Sequence, residues 1–104
     1  MIRVSVYYPN NSGARFDHDY YANKHMPMVL EKLGALVVRG EVDKGIGGAA
    51  PDAPATYVAV GHLIFNSLED FQQGFGSHGD EIMGDIPNYT DIEPIIQVSE
   101  ITVG

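Results

Sequence analysis

The residues best suited to chemistry lie in one run, Phe16-Asp17-His18-Asp19-Tyr20-Tyr21-Ala22-Asn23-Lys24-His25-Met26-Pro27-Met28-Val29. Asp17 is a good helix N-cap, and Asp19 sits near the positive end of the helix that would follow. On such a helix Tyr21 and His25 are four residues apart and share one side. An inward-leaning face then mixes Phe16, Tyr20, Tyr21, His25, Met28 and Val29, two phenols and an imidazole among apolar side chains. Buried polar tips need partners or water, so this face is either a core network or the lining of a polar-tipped pocket. Histidine is the side chain best placed to move protons near neutral pH. If a reaction occurs here, His25 is the acid/base candidate, and Tyr21 or Tyr20 would orient a substrate oxygen. Pro27 removes an N–H and disfavours helical geometry at Met26, which predicts a kink or short break near His25-Met26.

The elements that must position this face follow from periodicity. Ile2 to Tyr8 alternates as a strand, with Ile2, Val4, Val6 and Tyr8 on one side, and Pro9-Asn10-Asn11-Ser12-Gly13 ends it as a turn. The first helix runs to about Leu33 and closes at Gly34. Ala35 to Asp43 reads as a second strand, and Lys44 to Ala55 as a loop. Thr56 to Phe65, nearly continuous in apolar residues, reads as a central strand covered on both faces. Asn66 or Ser67 caps a second helix, with Ser67-Leu68-Glu69-Asp70 resembling a capping box. Gly74 and Gly76 predict a weak end there, and Ser77 to Ile86 a further helical stretch. Glu93 to Val103 reads as the last strand. The order, strand, helix, strand, strand, helix, strand, is a ferredoxin-like βαββαβ arrangement. One antiparallel sheet carries both helices on one face, in a single domain over residues 1–104. The chain has no element left for the other sheet face, so a homodimer is expected, its subunits meeting through an apolar open face.

Charge excludes several functions. The 104 residues carry a net charge of −8, and all six Lys and Arg fall in the first 44 positions against five acids there. Residues 45–104 hold nine acids and no Lys or Arg. A nucleic-acid partner, which needs clustered cations, is not expected, nor is an anionic membrane surface. No apolar run approaches the ~20 residues of a bilayer span, and the opening residues lack a signal-peptide pattern, so a cytoplasmic protein is the expectation. With no Cys, thiolate zinc sites and thiol nucleophiles are out.

The remaining candidates read as structural. Gly45-Ile46-Gly47-Gly48 lacks the Lys-Ser/Thr of a phosphate loop and precedes a strand, not a helix. His18 and His25 are seven apart, roughly 10 Å along a helix, too far to share a metal ion. His62, on the face of Val58, Val60 and Ile64, reads as buried or interfacial, and His78 as a loop residue in a turn. The acids Glu69, Asp70, Asp80, Glu81 and Asp85 read as a solvated helix face, with no acid/base pair among them. No metal and no cofactor is expected.

The run Phe16-Asp17-x-x-Tyr20-Tyr21-x-x-x-His25-Met26-Pro27-Met28-Val29 resembles the opening helix of EthD-like proteins, small dimeric α+β barrels. Tyr7-Tyr8-Pro9 fits the end of the family's first strand. Glu93-Pro94-x-x-Gln97-Val98-Ser99-Glu100-Ile101 looks like its last. The resemblance spans nearly the whole chain. It implies a ferredoxin-like protomer that pairs into a barrel, with a pocket between helices and sheet near His25. Relatives in the wider superfamily include cofactor-free monooxygenases, muconolactone isomerases and polyketide cyclases. This chain lacks the Cys and the Trp that some of those use.

Two readings follow. One is a cofactor-independent enzyme acting on a small apolar carbonyl, phenol or lactone in a degradation or polyketide-type pathway. His25 and Tyr21 would be catalytic, and Tyr8, Tyr20, Tyr57 and Met28 would line the substrate site. The other is a non-catalytic dimeric module that binds a hydrophobic metabolite or assists an oxidising partner.

Overall fold

The computed structural model describes residues 1–104. Four strands, β1 (Ile2–Pro9), β2 (Val37–Lys44), β3 (Tyr57–Phe65) and β4 (Ile95–Glu100), form one sheet in the order β2-β3-β1-β4. Every neighbouring pair is antiparallel. The chain is α+β with the ferredoxin-like topology, and β3 is central, as its apolar run requires. The last strand is shorter than the span Glu93–Val103 read from the sequence. No helix is long and apolar enough to cross a membrane.

The first helical stretch is continuous but changes register. Asp17 caps α1 (His18–Tyr20) by accepting from the Tyr20 N–H at 3.0 Å. A π-helical turn (Tyr21–His25) follows, then α2 (Met26–Leu33), which Gly34 ends at a positive φ of 54°. The break expected at His25-Met26 is absent, and Met26 keeps helical angles, φ −61° and ψ −44°. The wider register absorbs the proline instead. The Met26 N–H reaches back to the Tyr21 carbonyl, and Pro27 falls in the first turn of α2, where its missing N–H costs little.

The second helix, α3 (Leu68–Gly84), is a single element of 17 residues and runs straight through Gly74, Gly76 and Gly79. The interruption expected there does not occur, because Gly74 serves packing. It is buried against α2, and a Cβ at Gly74 would meet Leu33 Cδ2 at 2.7 Å. His78, expected in a turn, is therefore helical. One apolar core joins Val4 and Leu63 of the sheet to Val29 and Leu33 of α2 and Ile82 of α3. Tyr8, Tyr21, Ala59, Tyr89 and Ile92 form a second, largely aromatic one.

The sheet face away from the helices is mixed, where an apolar surface was expected. Strand alternation and side-chain contacts place Arg3, Ser5, Arg39, Glu41, Asp43 and His62 there. The same alternation puts Tyr7, Val60, Ile64 and Ile95 among them, while Val4, Val6, Leu63 and Phe65 face the helices.

The sheet also leaves room for one phenol. A Cβ at Gly61 would fall on the hydroxyl of Tyr21. Gly61→Ala should therefore lower stability by about 1–3 kcal/mol, read from the urea midpoint. An unchanged midpoint would mean that Tyr21 is not seated on β3.

Candidate functional site

The π turn places Tyr21 and His25 side by side, both buried, with rings stacked at 5.5 Å and 17°. Across from them, α3 ends at Gly84 and a 3-10 turn (Ile86–Asn88) redirects the chain. A bridge between Phe16 and Thr90, with the Asp17 N–H donating to the Tyr89 carbonyl at 2.8 Å, fixes Tyr89 beside His25. These two stretches, remote in sequence, build one polar cluster.

Its centre is the carboxylate of Asp85, which takes three donors. His25 Nδ1–H donates to Oδ2 at 2.8 Å. The Tyr20 hydroxyl and the Asn88 amide donate to Oδ1 at 2.7 and 2.8 Å. Burial works against ionisation of Asp85, but hydrogen bonds from Asn88, His25 and Tyr20 outweigh it and hold its pKa below the usual value. An ionised carboxylate only accepts, so the proton of the imidazole stands on Nδ1, and Nε2 keeps its lone pair. Burial pushes the His25 pKa below 6.5, more than Asp85 pushes it up. His25 is thus a neutral, oriented base at pH 7. Its Nε2 lies 3.5 Å from the Tyr89 hydroxyl, at the outer limit of a hydrogen bond, and Tyr89 Oη in turn lies 2.6 Å from Tyr8 Oη. Burial raises the pKa of Tyr8, Tyr21 and Tyr89, so all three remain phenols.

A cavity of about 250 Å³ adjoins this cluster, between the helices and the sheet. Tyr8, Tyr21 and His25 gather its polar groups, while Val4, Val29, Leu63, Phe71, Phe75 and Ile82 supply apolar wall. Met83 and Ile96 line it and are also well exposed, which marks the mouth between the end of α3 and β4. An apolar cavity of ~150 Å³ takes one benzene, so this space suits a one- or two-ring molecule.

Of the six residues singled out from the sequence, His25, Tyr21 and Tyr8 line the cavity. Tyr20 stands behind His25 as a second donor to Asp85. Met28 packs against the apolar core. Tyr57 pairs with Tyr7, ring centroids 4.9 Å apart, beyond the bulge in β1 and away from the cavity. The sequence reading missed Asp85, Asn88 and Tyr89. Asp85 was counted with the solvated acids of α3, but it is the residue just past the helix end and turns inward. The signal that could have found it is the polar spacing Asp85-x-x-Asn88-Tyr89 around Pro87. His62 belongs to a separate arrangement on the other sheet face, where Ser5 Oγ lies 2.9 Å from Nδ1 and Asp43 Oδ2 lies 3.0 Å from Nε2. None of these three residues lines a cavity.

The family model for the EthD domain matches residues 13–93. The chain belongs to the EthD family. An EthD-like protein from Ralstonia eutropha JMP134 is 49% identical, with a TM-score of 0.94 over 98% of this chain and 92% of that one. An EthD family protein from Bacillus halodurans C-125 shares 16% identity at a TM-score of 0.67, over 98% and 99% of the two chains. A Mesorhizobium loti protein of the DABB family, described as having a ferredoxin-like fold, shares 12% identity at a TM-score of 0.55, over 99% and 97%. The last two show the fold alone. No curated protein matches the chain.

The buried imidazole of this EthD domain couples stability to pH. Because the folded-state pKa of His25 lies below its unfolded value near 6.5, its contribution is complete above pH 6.5 and is lost as pH falls through the folded pKa. His18 is shifted the same way, by burial and then Lys44, so the His25 share is the difference between wild type and His25→Gln. Asp85→Asn should lower the His25 pKa further, because the carboxylate is the group that raises it, and should cost about 1–3 kcal/mol of stability. Titration followed by NMR and urea denaturation check both, and a raised His25 pKa would contradict the arrangement.

Proposed function

We propose that this EthD-domain protein binds a small, largely apolar carbonyl, phenol or lactone in the cavity and acts on it without a cofactor, through acid/base chemistry at His25. The observation that carries this reading is a neutral imidazole, oriented by Asp85, at the polar end of an otherwise apolar cavity. That arrangement supplies what a general base needs, a lone pair on Nε2 and a fixed tautomer in a ring that is neutral at pH 7. Tyr21 and Tyr8 remain protonated at neutral pH and can donate to a substrate oxygen, which suits the orienting role. The apolar wall selects the body of the ligand, and the polar end selects its oxygen.

The second reading is a dimeric module that holds such a ligand without turning it over. It is favoured by the cavity lining, which carries two phenols and one imidazole but no Ser, Thr, Cys, Lys or carboxylate side chain. His25→Ala separates the two. The enzyme reading expects turnover of a substrate found by screening one- and two-ring oxygen compounds to fall by about 10²–10⁴-fold with the fold retained. Unchanged turnover would remove His25 from the chemistry.

A homodimer is part of the proposal. The open sheet face carries Arg3 and Arg39 together with Glu41 and Asp43, both signs on one surface, and such a surface can complement a second copy of itself. Light scattering should give twice the monomer mass at micromolar concentration, and a stable monomer there would contradict it.

A further inference from the structure

Within the polar cluster one group is conspicuously under-used. Asp85 takes three donors at 2.7–2.8 Å, and the Tyr8 and Tyr89 hydroxyls share a short bond of 2.6 Å. His25 Nε2 has only the Tyr89 hydroxyl at 3.5 Å, although the residue is 5% exposed. A buried acceptor with so long a partner is poorly satisfied, and a better donor would replace that partner at little cost. His25 and Tyr8 both border the cavity, whereas Tyr89 is fully buried behind them.

We propose that His25 Nε2 makes the cavity selective for ligands with an acidic O–H, a phenol or an enol, over ketones and ethers of the same shape, with Tyr89 acting only as a hydroxyl switch that releases it. This rests on the cavity being the ligand site. In the empty protein Tyr8 donates to Tyr89, and Tyr89 donates weakly to His25 Nε2. When a phenol enters, its O–H donates to Nε2. The Tyr89 proton turns to Tyr8 Oη, and the Tyr8 proton turns to the ligand oxygen. Every hydroxyl still gives its proton, and His25 Nε2 gains a full donor, while only the Tyr89 oxygen gives up the proton it received from Tyr8. One ligand oxygen bridges the two groups that Tyr89 Oη already bridges from behind. A ketone cannot follow this path, since it has no proton for Nε2. An ether has no such proton either. Both leave the imidazole with its 3.5 Å partner. Burial keeps Tyr8 and Tyr89 protonated, which fits a relay of hydroxyl orientation rather than of charge.

The test compares 2-naphthol with 2-methoxynaphthalene, two probes of one ring system, by titration into wild-type protein. Binding is followed on the Val29 and Leu63 methyls and on the His25 ring nitrogens by NMR. The expected result is about tenfold tighter binding of the naphthol, with the Nε2 resonance moving for the naphthol only. Equal affinities with the methyl signals shifted by both probes would overturn the switch while leaving the cavity reading in place. If neither probe perturbs those methyls, the cavity reading fails and the switch fails with it. Tyr89→Phe removes the competing donor and should keep or enlarge the preference for naphthol. Loss of the preference in that variant would assign recognition to Tyr89 itself and refute the switch. Should that variant not fold, the wild-type pair of titrations decides alone.

Discussion

A single carboxylate organises the functional half of this molecule. Asp85 stands where α3 has just ended and receives His25 from the π turn, Tyr20 from α1 and Asn88 from the 3-10 turn that follows. A half-buried carboxylate without such donors would be destabilising, so the two helical stretches are held at one separation by the need to satisfy it. The same contact sets the chemistry. It fixes which imidazole nitrogen carries the proton, and it partly offsets the downward push that burial gives the imidazole. Position and reactivity of His25 thus come from one interaction.

The local deviations of the backbone serve that interaction. The π turn rotates Tyr21 and His25 onto one buried face and delivers the chain to Pro27 in a register that tolerates it. Gly61 clears the sheet under the Tyr21 hydroxyl, and Gly74 lets α3 close on Leu33. Each spends backbone regularity or flexibility on a close approach, and each lies within the walls of the cavity or behind them. The EthD match over residues 13–93 takes in the capped helix, the π turn and the Asp85–Tyr89 turn together.

The fold was legible because its signals are local. Alternation in Ile2–Tyr8, the apolar run ending at Phe65, the Asp17 and Ser67 caps and the Gly34 stop each act within a few residues, and all appear in the structure. The boundaries of the site were less legible. His25, Tyr21 and Tyr8 were found by type and spacing. Asp85 was not, since a carboxylate next to other exposed acids reads as solvated, and only the tertiary path after Gly84 turns it inward. Tyr89 carries no periodic signal at all, and its place comes from the pairing of Thr90 with Phe16. Glycines were over-read as helix breakers because sequence does not tell a flexible glycine from one compressed between two helices. The open sheet face was over-read as apolar for a related reason. Arg3, Ser5, Arg39 and Glu41 alternate outward together with Tyr7, Val60 and Ile64, so that face mixes polar and apolar side chains.

The central claim is that Asp85 holds His25 neutral, with its proton on Nδ1 and its lone pair on Nε2 toward the cavity. The most direct measurement is the protonation state of the two ring nitrogens at pH 7, read from nitrogen-15 NMR of the histidine side chains. The account predicts a neutral ring in the Nδ1–H form. A ring protonated on Nε2, whether neutral or cationic, would contradict it.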